Sequence, residues 1–289
     1  MTSMGLDMLE LPSKARGTPM ARTLSNSGSG RPDRTNFAKF VAALPESNFR
    51  LGLTHVTTGY FLRDILDTKT ITPVEDCPVL KKPLVYAFYG RPAYRNKSDD
   101  TPTDLAFLFP VVMLLNPDKA PKPAHVFGFD TGAFMGGLMD DYLDPHMPLF
   151  DFHLEPDIRS AARLAQAFFG SPKAFLDGEA ASNMKVPSGE FEALSYSKMV
   201  ASGGRGTNKL DDRISTPEII FTEIPIEECV EAVILPDILA SDPTIGGRIG
   251  AMGVKVREYE WSSGASRPSE YHRVIRQIAH GVFRDLGWL

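Results

Sequence analysis

The sequence predicts an α+β fold. Apolar runs of strand length occur at 51–56, 84–89, 218–223 and 230–235, each bounded by turn-forming residues. Two other segments, 155–169 and 269–286, repeat apolar residues at helical spacing. Strands and helices follow one another without regular βαβ alternation over the 289 residues, which disfavours a doubly wound sheet. A hydrophobic fraction of 43% against 23% charged allows a sizeable core.

Residues 1–34 read as a flexible tail, because Ser, Gly, Pro and Arg dominate 24–34. A single domain is expected over 35–289. Asn36 can cap a helix over 37–43, whose Phe37, Phe40, Val41 and the following Leu44 share a face. The run 51–56 is a strand, and Thr57 or Thr58 caps a helix to Asp67. Strands follow at 84–89, 104–115 and 125–129. Residues 130–155 carry many Gly, Asp and Pro and read as irregular. Glu155-Pro156-Asp157 opens a helix with Ile158, Ala161, Ala162, Leu164, Ala165 and Phe168 on one stripe, and Gly170 stops it. A short helix near 190–200 precedes a glycine-rich loop at 202–206. Strands at 218–223, 230–235 and 254–259 surround a helix or turn at 238–252. The helix 269–286 turns Val274, Ile275, Ile278 and Phe283 inward. Residues 98–210 read as a large helical and irregular insertion.

The net charge of −5 argues against a protein that coats nucleic acid by bulk electrostatics. Two cysteines, Cys77 and Cys229, cannot build a disulfide framework or a cysteine-based zinc site. A reducing cytoplasm is the expected compartment. No apolar run is long enough to span a bilayer, and the N-terminus lacks a signal-peptide core, so no membrane partner is expected.

Three stretches carry candidate chemistry. His55 ends an apolar strand among Thr54, Thr57 and Thr58, hydroxyl-bearing residues suited to reading a ribose. The structural alternative is a histidine bonded to a nearby carbonyl. No His or carboxylate stands at i+2 or i+4, so no metal site is expected. Tyr86, Phe88, Tyr89 and Tyr94 cluster around a strand end. A tyrosine at that turn can stack a flat heterocycle and still hydrogen-bond. Lys81, Lys82, Arg91, Arg95 and Lys97 have no acidic residue among them. Either they form a solvated basic edge, or the arginine forks clamp phosphate. Glu218 opens a β-branched strand behind Pro217, with Arg213 five residues upstream. Asp211 and Asp212 can instead pair Arg213 in a structural loop. Gly203-Gly204-Arg205-Gly206 lacks the Lys-Ser/Thr of a phosphate loop. Asp130-Thr131-Gly132 has no second copy to make a protease dyad and reads as a turn.

The order His, aromatic-arginine strand end, then Glu resembles the ADP-ribosyltransferase superfamily of the His-Tyr-Glu type, and within it the DarT-like bacterial toxins. His55-Val56-Thr57 followed by Leu62-Arg63-Asp64-Ile65-Leu66 is similar to their opening strand and helix. Tyr86-Ala87-Phe88-Tyr89 with Arg91-Pro92 is similar to their aromatic strand end, and Arg213 through Glu218-Ile219-Ile220 to their catalytic strand. The similarity spans about 50–95 and 210–236. It departs at the asparagine that such toxins carry after the His-Thr step, where Tyr60 or Arg63 stands here. The resemblance implies a split β-sheet core with flanking helices and NAD as a substrate. It implies that His55, Thr57, Thr58, Tyr86, Arg91 and Arg95 bind NAD, and that Glu218, Tyr89 and Arg91 carry catalysis. It implies a mono-ADP-ribosyltransferase, a toxin or anti-phage effector acting on a nucleic-acid or protein acceptor. An antitoxin or sensor partner remains open. The alternatives are an NAD glycohydrolase and a non-catalytic nucleotide-sensing module of the same fold.

Overall fold

A computed structural model of the chain describes residues 22–25, 34–93, 101–203, 211–264 and 266–289. Helix α1 (Asn36–Ala42) buries Phe37 and Val41, so its apolar stripe docks as the sequence pattern requires. Strand β1 (Leu53–Thr58) runs directly into α2 (Gly59–Thr68), with Leu62, Ile65 and Leu66 inward. Thr58 takes the N-cap position, but its hydroxyl makes no cap bond. The short β2 (Thr70–Ile71) follows, then β3 (Val85–Tyr89). Strand β4 (Pro110–Leu115) is buried at every residue. It is shorter than the predicted 104–115, because 106–108 coil into a 3₁₀ turn and Pro110 begins the strand. Next come β5 (His125–Phe127), α3 (Thr131–Met135) and β6 (His153–Leu154).

Helix α4 (Ile158–Phe169) has the predicted stripe, with the Asp157 carboxylate accepting from the Arg159 N–H. A helix the sequence pattern did not announce, α5 (Pro172–Asp177), is capped by Ser171 and carries Pro172 in its first turn. Then come α6 (Phe191–Ser202), β7 (Glu218–Phe221), β8 (Ile224–Pro225), α7 (Ile226–Cys229) and β9 (Val230–Pro236). The segment predicted as helix or turn is two short helices, α8 (Asp237–Ala240) and α9 (Gly246–Ala251). Strand β10 (Lys255–Tyr259) and α10 (His272–Asp285) complete the described elements.

The architecture is mixed α+β around one large, mostly antiparallel sheet. Eight strands pair in the order β10-β9-β4-β1-β3-β7-β5-β6, with β2 and β8 forming a separate small sheet. Only β9 and β10 run parallel in the large sheet. Strand β1 pairs with β4 over its whole length but with β3 only at Leu53↔Tyr89 and Thr54↔Phe88. The sheet is therefore two four-strand halves joined at a narrow seam, open beyond Thr54 and Phe88. The seam is tied by Gly90 N–H to Gly52 O at 2.8 Å and by the Thr54 hydroxyl to Arg91 O at 2.7 Å. Gly52 is required there: the indole of Trp288 and the carbonyl of Leu115 occupy the space a Cβ would need. On one face of β5, a Cβ at Gly128 would press on Phe37, Leu164 and Tyr196, so α1, α4 and α6 cover that face.

Two organisational expectations are corrected. Residues 98–210 are not an appended insertion: they supply β4, β5 and β6 of the main sheet. Two of these strands, β4 and β5, fall within the predicted 104–115 and 125–129; β6, only two residues long, did not show in the pattern. Nor is the whole of 1–34 a loose tail. Thr23 O and Leu24 O accept from Leu149 N–H and Phe150 N–H, and Arg22, 9% exposed, pairs with Asp140 at 2.6 Å over the Phe134 ring.

Candidate functional site

The register sorts the candidate side chains by face. Thr54, Phe88, Glu218 and Phe127 lie in one cross-strand row, and Tyr86, Ile220 and His125 in the next, all on one face. His55 and Thr57 alternate onto the other face. Where the halves part, His55, Val56, Thr57, Thr58 and Tyr86 become half-exposed, whereas Leu53, Thr54 and Phe88 at the closed end are buried. The opening thus gathers four of the predicted NAD-binding residues: His55, Thr57 and Thr58 on one lip and Tyr86 on the other.

His55 Nδ1 lies 2.7 Å from Tyr86 O. A carbonyl only accepts, so Nδ1 carries the proton and Nε2 presents a lone pair. Burial lowers the pKa of the ring and keeps it neutral. The residue thus bonds a backbone carbonyl, the structural alternative, and still leaves one nitrogen able to receive a hydroxyl.

Glu218 is 3% exposed and opens β7 opposite Phe88. Its Oε2 accepts from Thr131 N–H at 3.1 Å. Beside it stands Asp130, 6% exposed, whose Oδ1 accepts from Ala133 N–H at 2.5 Å and so caps α3. Loss of hydration and their mutual repulsion push Glu218 well above the ordinary carboxylate range, and burial raises Asp130. Arg213 does not neutralise Glu218. Its guanidinium is bound to Asp211 at 2.5–3.1 Å in the 3₁₀ turn before β7. The Tyr86 hydroxyl is enclosed beside the Cys77 thiol without a partner in hydrogen-bond geometry, and the charges of Glu218 and Asp130 raise its pKa further. The Cys77 sulfur in turn accepts from Val79 N–H and Leu80 N–H, each at 3.2 Å.

Asp130 and Thr131 are the residues of the candidate site that the sequence pattern did not reveal. Asp-Thr-Gly was expected to be a turn, and it does begin a helix. The signal that it meets Glu218 is the pairing Phe127↔Glu218, a contact between residues far apart in sequence.

Tyr89 and Arg91 are corrected. Tyr89 is 1% exposed, and its hydroxyl donates to Phe49 O at 3.2 Å and accepts from Leu51 N–H at 3.3 Å. It braces the closed end of the seam and has no face to stack on a ligand. Arg91 is also 1% exposed. Its guanidinium lies 4.1 Å from the Phe175 ring centroid and 4.9 Å from that of Phe169. It donates to Ser215 Oγ at 3.2 Å, Thr216 Oγ1 at 3.3 Å and Phe175 O. Burial lowers its pKa to about 10, so it stays charged at neutral pH. The residue holds α5 against β3 and cannot also clamp a pyrophosphate. Arg95, with Tyr94 and Lys97, lies outside the described residues. Lys81 and Lys82 are exposed on the hairpin above β3.

Further along the same face, His125 Nδ1 and His153 Nε2 are 3.1 Å apart, packed among Phe127 and Phe150. Burial lowers both, His153 to about 4. Such groups bind fewer protons folded than unfolded, so their stabilisation is complete above the unfolded value near 6.5 and is lost as pH falls from there toward about 4. Melting temperature is expected to drop between pH 7 and 5, and His153→Gln to remove roughly 2 kcal/mol of that dependence. A variant with the wild-type acid slope defeats the assignment.

No protein-family model, curated protein or solved structure matches the chain. Among the described residues no helix is long and apolar enough to cross a membrane.

Proposed function

We propose that the protein is an NAD-dependent mono-ADP-ribosyltransferase, acting as a toxin or anti-phage effector on a nucleic-acid or protein acceptor. The observation that carries this reading is the pair of buried carboxylates, Glu218 and Asp130. They stand beside the enclosed Tyr86 hydroxyl, in the last cross-strand row before β1 and β3 part. Only Arg213, itself bound to Asp211, acts on the pair as a cation, through Asp130; two carboxylates so little compensated are costly, and a ligand that brings positive charge relieves that cost. Cleavage of the nicotinamide–ribose bond of NAD develops positive charge on the ribose.

The chain's residues then have separate tasks. Glu218, which gives up its proton when the cationic nicotinamide is bound beside it, accepts a hydroxyl of the nicotinamide ribose and opposes the developing charge, with Asp130 reinforcing the field. Thr131 N–H fixes the Glu218 carboxylate in place. Tyr86 lends its ring and hydroxyl to positioning. His55 Nε2 receives a hydroxyl from the adenosine side, with Thr57 and Thr58 beside it.

The test is nicotinamide release from NAD carrying a label in its ADP-ribose portion, with and without nucleic acid and cell lysate. Release with label on a macromolecule supports transfer. Release with free ADP-ribose makes water the acceptor, and absence of release removes the enzyme reading. In the same framework His55→Ala should raise the Kd for NAD about ten-fold, the loss of one hydrogen bond in a formed site, and shift melting little. Unchanged affinity with a large melting shift assigns His55 to structure alone.

A further inference from the structure

We propose that the face between α10 and α5 binds a phosphate-bearing anion, held by Arg276, His280 and Arg284 above the buried Arg91. Arg276, His280 and Arg284 recur every four residues on α10 and therefore stand along one side of it. The buried stripe of Ile275, Ala279, Val282 and Phe283 lies directly alongside, so the basic groups line the edge of the packed face. Arg276 donates to Leu176 O and Arg91 to Phe175 O, so both lean on the last turn of α5.

Four basic groups are thus crowded on a protein whose overall charge is −5. Their mutual repulsion is felt. Arg276 lowers Arg91, and Arg276, Arg284 and Arg91 all lower His280, after burial has already done so. The carboxylates that act on the group are few. Asp177, bound to Lys173 at 2.5 Å, also acts on Arg91 and His280, and Asp212 acts on Arg91. Asp285, beside Arg284, pairs with Arg257 at 3.4 Å. Arg276 and Arg284 have no ion pair among the described residues.

Two buried nitrogens in this group have no partner: His280 Nε2 and Arg91 Nε. His280 is held neutral by burial and by these arginines, and an anion bound among them would cancel their repulsion and draw the proton onto its ring. A tetrahedral oxyanion fits the chemistry: two arginine forks grip its oxygens, and a protonated His280 adds a third donor. This site uses none of the residues assigned to NAD cleavage.

The experiment titrates inorganic phosphate and then pyrophosphate into the full-length protein, against chloride at matched ionic strength. It follows the His280 ring proton by NMR, identified by its loss in His280→Gln. Saturable movement toward the protonated position is expected. Arg284→Ser should weaken binding about ten-fold at unchanged melting temperature, since Arg284 is exposed. A competing arm adds single-stranded oligonucleotide. Displacement of pyrophosphate identifies backbone phosphates as the source, and failure to displace identifies a free phosphate or nucleotide. Absence of a phosphate-specific shift, or equal binding by Arg284→Ser and the wild type, overturns the site.

Discussion

Glu218→Gln is expected to lower nicotinamide release by about 10²–10³-fold, the effect of deleting one preorganised electrostatic group, and at the same time to stabilise the fold at neutral pH. The two effects share a cause. The Glu218 carboxyl is buried against Asp130, and its pKa is raised well above the ordinary range. As pH rises past the unfolded value near 4.5, the unfolded chain gives up its proton while the folded group keeps it. Stability therefore falls with rising pH, until the folded carboxyl ionises too. Glutamine preserves the shape and the acceptor for Thr131 N–H but does not titrate. The variant should show a flatter stability profile above pH 5 and a higher melting temperature at pH 7 to 8. Such a trade of stability for a charged site is common in enzymes. Nicotinamide release at the wild-type rate would falsify the catalytic assignment. An unchanged pH profile would instead show that the carboxyl is not held protonated.

Arg91→Met should destabilise the protein by on the order of 3–5 kcal/mol, the range for breaking a buried charged network. The guanidinium fills the space beside Phe169 and Phe175 and satisfies Ser215, Thr216 and Phe175 O. Methionine fills part of that volume and satisfies none of those groups. In a chain of this size the change amounts to roughly 10 °C in melting temperature. NAD affinity of the folded fraction should stay at the wild-type value. If Arg91→Met does not fold, Arg91→Lys gives the same comparison with the charge retained. A variant with an unchanged melt but lost NAD affinity would return Arg91 to the ligand site.

These two residues mark what the sequence makes legible. Helices with a full stripe, such as 158–169 and the C-terminal 272–285, were readable because their periodicity is local. The strands around His55, Tyr86 and Glu218 were readable for the same reason. Burial at a chain bend is not local. Arg91 looks like a surface phosphate clamp beside a glycine and a proline, yet α5, more than eighty residues later, folds over it. The short β5 was readable, but not its place beside β7; β6, two residues long, is too brief to carry a pattern and exists because β5 offers it an edge. Asp130 became a partner of Glu218 through that same pairing. Residue types at the opening were legible, and their faces were not, because alternation places His55 and Glu218 only once the seam register is known.

The strand order also has a consequence for biosynthesis. Strand β4 finds its first neighbour, β1, already made, but its second neighbour, β9, begins only at Val230. At 5–20 residues per second, the ribosome needs on the order of ten seconds to supply it. Throughout that interval an entirely apolar strand presents one unpaired backbone edge, the kind of surface that other nascent chains and holdase chaperones engage. Yield in a heterologous host should therefore depend on elongation rate and chaperone supply more than on the stability of the finished molecule.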